Sequence, residues 1–278
     1  MTMFKILRKQ FLTSNICRME VEAPMIAASA KPGQFLMVRA DEKGERIPLT
    51  ISDYDASAGT VTIVTQTIGA STTKINSMEE GECFADVVGP LGNPSEFIGW
   101  DKARIEASHF VFLAGGVGSA PVYPQAKWLK ERGAGVTVIL GARTKDLLIY
   151  VDELKSVSDD LQICTDDGSF GFQGNIPALL EHLVRDEGRS YTDCVAIGPM
   201  IMMKFSVHMA TKLNLPVTVS LNTLMVDGTG MCGACRVTVD GKTRFACVDG
   251  PEFDGTKVDF DEAMRRQKQY VSQERGLK

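Results

Sequence analysis

Histidine, basic charge and long apolar runs are all scarce in this chain. Histidine occurs three times in 278 residues, and 30 Lys and Arg stand against 35 Asp and Glu, for a net charge of −5. Without a basic surplus there is no stripe to hold a phosphodiester backbone, so nucleic acid is not an expected partner. No segment has the length and apolarity to span a bilayer, so no membrane association is expected. The opening MTMFKILRKQFLTSNICRME lacks the continuous apolar core of a secretory signal, and a cytoplasmic location is the expectation. His109, His182 and His208 are scattered and have no carboxylate or serine partner suggesting a triad. That absence leaves redox chemistry open, because hydride transfer needs orientation and little acid–base help. Internal repeats and low-complexity stretches are absent as well.

Several features point to a function. The length suggests about two domains with room for a third small module. The hydrophobic share of 44% and charged share of 23% are those of an ordinary globular chain. Seven cysteines in a reducing compartment are not a disulfide framework, and their clustering points to metal. Cys17, Cys83, Cys164 and Cys194 fall within or beside apolar strand patterns and read as buried small hydrophobes.

The first hundred residues alternate short β-branched runs with turn signals: ICRMEVEA, GQFLMVRA, IPLTISDY, TVTIVTQTI and CFADVVGPLG. This spacing predicts an antiparallel β-barrel over residues 1–98, closed by the Gly- and Pro-punctuated LGNPSEFIGWD. From residue 99 to 220 apolar strands alternate with helical patterns, including TKDLLIYVDELKSVSD, NIPALLEHLVRDE and MIMMKFSVHMATKLN. That rhythm predicts a doubly wound parallel α/β sheet of about five strands. Residues 221–278 form a compact, glycine-rich module with a charged tail, DEAMRRQKQYVSQERGLK, read as a surface helix.

Within that module Asp227, Cys232, Cys235 and Cys247 have the spacing D-x4-C-x2-C-x11-C. Plant-type [2Fe–2S] clusters use C-x4-C-x2-C and a distant cysteine, so the fit departs only in the aspartate. RVTVDGKTRFA reads as a hairpin turning at Asp240–Gly241, which returns Cys247 to the other three. Structural zinc on three thiolates and a carboxylate, or three thiols without metal, remain alternatives. The absence of a nearby histidine argues against zinc. A carboxylate ligand is harder than a thiolate and would alter the potential of its iron.

Upstream, GGVGSAP (Gly115–Pro121) follows a strand and opens a helix, as a pyrophosphate loop does, although Pro121 breaks the G-x-G-x-x-G form. GART, TDDGS and GPM put Arg143, Asp166 and Gly198–Pro199 at the carboxyl edge of the sheet; the methionines of MIMMKF read as core packing, although Met200 could touch a nicotinamide. In the barrel, RIPLTIS places Arg46, Pro48, Leu49 and Thr50 on one strand, while Gly69, Ser71 and Thr72 open a helix. Arginine suits a flavin phosphate through paired donors. The bland reading of each piece is an ordinary strand followed by a capped helix.

Taken together, R-x-P-L-T, the Gly–Ser–Thr turn, G-G-V-G-x-A-P and G-P-M resemble the ferredoxin–NADP reductase superfamily. The C-terminal cluster module narrows the resemblance to electron-transfer subunits such as that of the iron–sulfur dihydroorotate dehydrogenase. Aspartate at the first ligand position is similar to the small subunits of NADH-dependent reduced ferredoxin:NADP+ oxidoreductases, which bifurcate electrons. The resemblance implies an FAD held by Arg46, Pro48, Leu49, Thr50, Thr65, Gly69, Ser71 and Thr72. It implies NAD(H) or NADP(H) surrounded by Gly115, Gly116, Gly118, Arg143, Asp166, Gly198, Pro199 and Met200. It also implies a [2Fe–2S] cluster on Asp227, Cys232, Cys235 and Cys247. The implied partner is a larger glutamate-synthase-like subunit with its own FAD and [4Fe–4S] clusters, and ferredoxin is reached only through it. Two alternatives stay open: service to dihydroorotate oxidation, and a non-catalytic nucleotide- and zinc-binding regulatory subunit.

Overall fold

The computed structural model describes residues 4–269. Seven strands form the first sheet: β1 (Phe4–Thr13), β2 (Ile16–Glu22), β3 (Phe35–Arg39), β4 (Ile47–Asp55), β5 (Thr60–Gln66), β6 (Cys83–Phe84) and β7 (Asp86–Leu91). In β2 the buried Cys17, Met19 and Val21 alternate with Arg18, Glu20 and Glu22, so one face meets the core and the other stays polar. The order is β6-β1-β2-β5-β4-β3-β7, antiparallel throughout. Its two edges are consecutive in the chain, separated by Ala85, whose N–H donates to Arg39 O at 3.1 Å. The barrel is therefore nearly closed. Two short helices, α1 (Pro24–Ser29) and α2 (Ala70–Ser77), pack against it. The sequence does not signal β1, because only Ile6 of its ten residues is fully buried and no alternation shows.

After α3 (Lys102–Glu106) come β8 (His109–Gly115), α4 (Ser119–Lys130), β9 (Gly135–Ala142), α5 (Val151–Ser156), β10 (Asp160–Thr165), β11 (Phe172–Gln173), α6 (Ile176–Arg185), β12 (Asp193–Ile197), α7 (Met200–Lys212) and β13 (Val217–Ser220). Every residue of β8 from Phe110 to Gly115 is buried, because both faces of the strand are covered. Phe110, Phe112 and Ala114 pack with α4 and α5, whereas Val111 and Leu113 pack with α6 and α7. The expected helix across TKDLLIYVDELKSVSD is shorter than its pattern. A 3-10 turn covers Lys145–Leu147, and α5 begins only after Tyr150, whose left-handed backbone (φ 62°) breaks continuity.

The last segment contributes β14 (Arg236–Val239), β15 (Lys242–Phe245), β16 (Glu252–Asp254) and α8 (Phe260–Gln267). Asp240 and Gly241 both have positive φ, 52° and 68°, as the expected two-residue turn requires. The second sheet runs β11-β10-β9-β8-β12-β13-β16. Its first six strands are parallel, and β16 adds to β13 antiparallel. The sheet thus exceeds the five strands expected, because β11 and β16 are too short to carry a pattern and β16 comes from the cysteine-bearing segment. The expected tail helix is α8 at its start, and residues 270–278 lie outside the described residues. Among the described residues no helix is long and apolar enough to cross a membrane.

Candidate cofactor cleft and cysteine cluster

In the second sheet β8 lies between β9 and β12, and the chain leaves these strands towards opposite faces. Gly115–Gly118 leads from β8 into α4, and Gly198–Pro199 leads from β12 into α7. Open α/β sheets bind ligands where successive connections diverge in this way. A cleft of about 940 Å³ opens there, between the strand ends and the barrel. The barrel lines it with Pro48, Leu49, Thr50, Thr65 and Thr72, and the sheet edge lines it with Gly115, Gly116, Gly118, Arg143, Asp166, Gly198 and Pro199. A Cβ on Gly118 would stand 2.3 Å from Ile197 O, so that glycine answers to packing. Gly116 has φ +56° and nothing within 4 Å of where a Cβ would stand, so its bare backbone faces open space. The start of α4 offers backbone N–H groups to an anion in that space.

Four residues expected at cofactors lie outside the lining. Arg46 is exposed and its Nε donates to Asp86 Oδ2 at 2.9 Å. Ser71 Oγ donates to Glu45 Oε2 at 3.0 Å, and Gly69 sits exposed at the start of α2. Met200 is buried in the core, because the helical period turns it inward; Ile201, Met202 and Phe205 reach the cleft instead. Thr65 lines the cleft, but its hydroxyl is taken by Asn76 Oδ1. Cys164 is buried, as expected of a small hydrophobe, and it also lines the cleft; burial pushes its thiol up to about 12. None of the three histidines lines the cleft.

The sequence reading missed the floor of the cleft. Phe35 from β3 and Thr223 and Met225 from the stretch after β13 line it. Phe35 and Met225 also belong to a packed group with Met37, Cys235, Ala246 and Cys247. The cleft lining and the buried cysteines therefore belong to one continuous packed group. This junction depends on a contact across the fold, and no local motif encodes it.

Cys235 Sγ and Cys247 Sγ lie 3.3 Å apart, and both side chains are buried. Burial, reinforced by the Cys235 thiol, pushes Cys247 up to about 12. Cys232 is exposed, and its thiol is pulled below the usual range, chiefly by the Ala234 N–H and further by the amides of Asp227 and Val226. Asp227 accepts from Thr229 N at 3.0 Å and from the Thr229 hydroxyl, which hold its carboxyl below the usual range, with Arg46 adding to the effect. Gly228, Gly230 and Gly233 all take positive φ, so the loop curls with its amides turned towards sulfur. Among the described residues no three metal-ligating side chains converge on one point. The structure thus pairs Cys235 with Cys247 and leaves Cys232 and Asp227 on the adjoining loop. Three thiols and inward amides are nonetheless donors that suit an iron–sulfur cluster, with the Asp227 carboxylate standing where the plant-type spacing has a fourth thiolate.

Residues 222–259 match the iron–sulfur cluster binding domain of dihydroorotate dehydrogenase B. Over 98% of its length the chain is 46% identical to the dihydroorotate dehydrogenase B (NAD(+)) electron transfer subunit homolog of Thermotoga maritima, covering 93% of that protein. The chain belongs to this family of electron-transfer subunits. It is also 57% identical to an uncharacterized protein in the adh 3' region of Clostridium beijerinckii, over 98% of this chain and 92% of that one. Among solved structures, a chain of the NADH-dependent reduced ferredoxin–NADP oxidoreductase, described for its insights into flavin-based electron bifurcation, superposes with a TM-score of 0.89. That chain is 45% identical, and the match covers 100% of this chain and 99% of that one. The sequence-level resemblance to that oxidoreductase is borne out, and the family architecture accounts for barrel, parallel sheet and cluster segment together.

Proposed function

We propose that this chain is a flavin and iron–sulfur electron-transfer subunit, moving electrons between NAD(P)H and a partner subunit. The continuity between cleft and cysteines carries this reading: Phe35 and Met225 line the cleft and belong to the same packed group as Cys235 and Cys247. Pro48, Leu49 and Thr50 would lie against FAD, with Thr65 and Thr72 beside it. Gly115 and Gly116 would receive phosphate oxygens, and Gly118 would let the start of α4 pack closely on β12. Arg143 and Asp166, at the rim, would meet the nucleotide's ribose, and Gly198 and Pro199 would flank the nicotinamide. Asp227, Cys232, Cys235 and Cys247 would hold a [2Fe–2S] cluster. A bound flavin supplies the step that changes electron count, accepting two from a nicotinamide and releasing them singly. The chain's own contribution is orientation, with bare glycine backbone for close approach and a dry wall towards the sulfurs. Three units follow, with bounds near residues 98 and 220: an FAD-binding barrel, a nucleotide-binding α/β domain and a cluster module.

The relatives are named as subunits, so this chain works beside another. We assign that partner as a larger glutamate-synthase-like flavin/[4Fe–4S] subunit of a cytoplasmic bifurcating ferredoxin:NADP+ oxidoreductase, since Asp227 and the 45% identical structure favour it. The match of residues 222–259 favours a second reading, service to dihydroorotate oxidation. Anaerobic purification from the native source tests both. We expect about one FAD and two irons per chain and a co-purifying glutamate-synthase-like protein. A dihydroorotate-binding barrel would select the second reading, and zinc without flavin would leave only the regulatory one.

A further inference from the structure

Among the described residues five buried side-chain polar atoms lack a hydrogen-bond partner: Arg39 Nε, Trp100 Nε1, Gln125 Oε1, Tyr191 Oη and Thr223 Oγ1. Of these five residues only Thr223 lines the cleft. Thr223 is 9% exposed, so water does not readily reach it. An unpaired buried hydroxyl is unfavourable, and native structures keep few of them without a reason. The two residues before it are fixed by hydrogen bonds. Leu221 N–H donates to Pro251 O at 2.9 Å, and Gln267 Nε2 donates to Asn222 O at 2.6 Å. Two residues later Met225 enters the packed group around Cys235 and Cys247.

We propose that the Thr223 hydroxyl is a hydrogen-bond contact for the polar edge of the flavin ring, reaching the flavin from the segment that leads to the cluster. The inference rests on the reading of the cleft as a flavin site. It lies on the floor of the cleft, where the barrel also contributes: Met225 and Phe35 belong to one packed group, and Phe35 pairs in register with Thr50 of β4. The pyrophosphate-type glycines belong to the sheet edge. One short stretch, Thr223–Met225, would then touch the flavin and the sulfur-lined core together, so that the contact affects both flavin affinity and flavin potential.

Thr223→Val removes the hydroxyl and keeps the shape, and Thr223→Ser keeps the hydroxyl. Both are measured on the full chain by FAD affinity from flavin fluorescence, by flavin midpoint potential, and by thermal unfolding of the flavin-free protein. Thr223→Val should weaken FAD binding about fivefold, the worth of one neutral hydrogen bond, and shift the flavin potential. It should leave the flavin-free unfolding temperature unchanged or raised, because an unsatisfied buried group has gone. Thr223→Ser should match the wild type within about twofold. Wild-type FAD affinity and potential in Thr223→Val would overturn the inference. Loss of FAD in step with loss of flavin-free stability would also overturn it, as would a loss confined to NADH affinity. A wild-type chain that takes up no FAD would overturn the cofactor reading itself, and this inference with it.

Discussion

Gly116 and Gly118 stand two residues apart and answer to different constraints. A methyl on Gly118 would drive into Ile197 O, where backbone cannot yield, whereas one on Gly116 would enter open cleft. Gly118→Ala should cost about 1–3 kcal/mol of stability, seen as a lower unfolding temperature. Gly116→Ala should unfold closer to wild type, apart from about 1–2 kcal/mol of left-handed strain, yet weaken NADH binding about tenfold in a direct titration. Equal nucleotide affinity in the two variants would contradict this division of roles. The Asp227 carboxylate is held ionised by Thr229, the state a ligand needs. Asp227→Cys should change the EPR g-values of the reduced cluster and its midpoint potential, and an unchanged spectrum would remove Asp227 from the ligand set. These residues were legible because each sits in a local pattern, a glycine loop or a cysteine spacing. Thr223 and Met225 were not, because their place in the cleft comes from packing across the fold.

Elements were legible in proportion to how much of them is buried on a regular period. β2, β8, α6 and the β14–β15 hairpin follow their sequence patterns, whereas the exposed β1 and the two- and three-residue β11 and β16 do not. β16 matters most, since it brings Glu252 to a three-way junction. Ser95 Oγ, beside the barrel, donates to Glu252 Oε1 at 3.0 Å, and Gln125 Nε2 of α4 donates to the same oxygen at 2.9 Å. Burial pushes this carboxyl from an ordinary 4.5 up to about 7; Ser95 and Gln125 pull it back in part, and Glu96 adds to the rise. The folded state therefore holds the proton more tightly than the unfolded one. Stability should fall as pH rises through the window from 4.5 to about 7 and remain lower above it. The loss should be at most about 3 kcal/mol. Glu252→Gln should flatten that part of the stability–pH curve, measured by urea unfolding at several pH values. A slope identical to wild type would show that Glu252 is not the group responsible.

At the scale of the whole molecule, the barrel and the parallel sheet meet along α4 and α5. Lys127 Nζ reaches Asp53 Oδ1 at 3.1 Å, and Arg18 reaches Glu153 at 2.9 Å. Both pairs are about a third exposed, so each is worth about 0–1 kcal/mol. Ile16 and Val64 of the barrel, packed into the core that holds Phe97, Phe110 and Phe112, do more to fix the two units. Lys127→Met should accordingly leave the unfolding temperature and the FAD content close to wild type, and a large loss of either would show that the ion pair sets the domain geometry. Rigid placement matters because the cleft has one wall from each unit and its floor from the segment that holds the cysteines. The division into barrel and parallel sheet was readable from strand rhythm, but the convergence of all three parts on one cleft was not.

On the proposed route, electrons pass from a nicotinamide nucleotide through the cleft to a metal centre of this chain. The most direct test is an anaerobic NADH titration of the isolated chain, followed at once by visible absorbance and low-temperature EPR. Flavin absorbance should bleach and a reduced [2Fe–2S] signal should grow as NADH is added. Flavin that bleaches while the metal centre stays silent, at potentials where dithionite reduces it, would overturn electron transfer from cleft to cysteines.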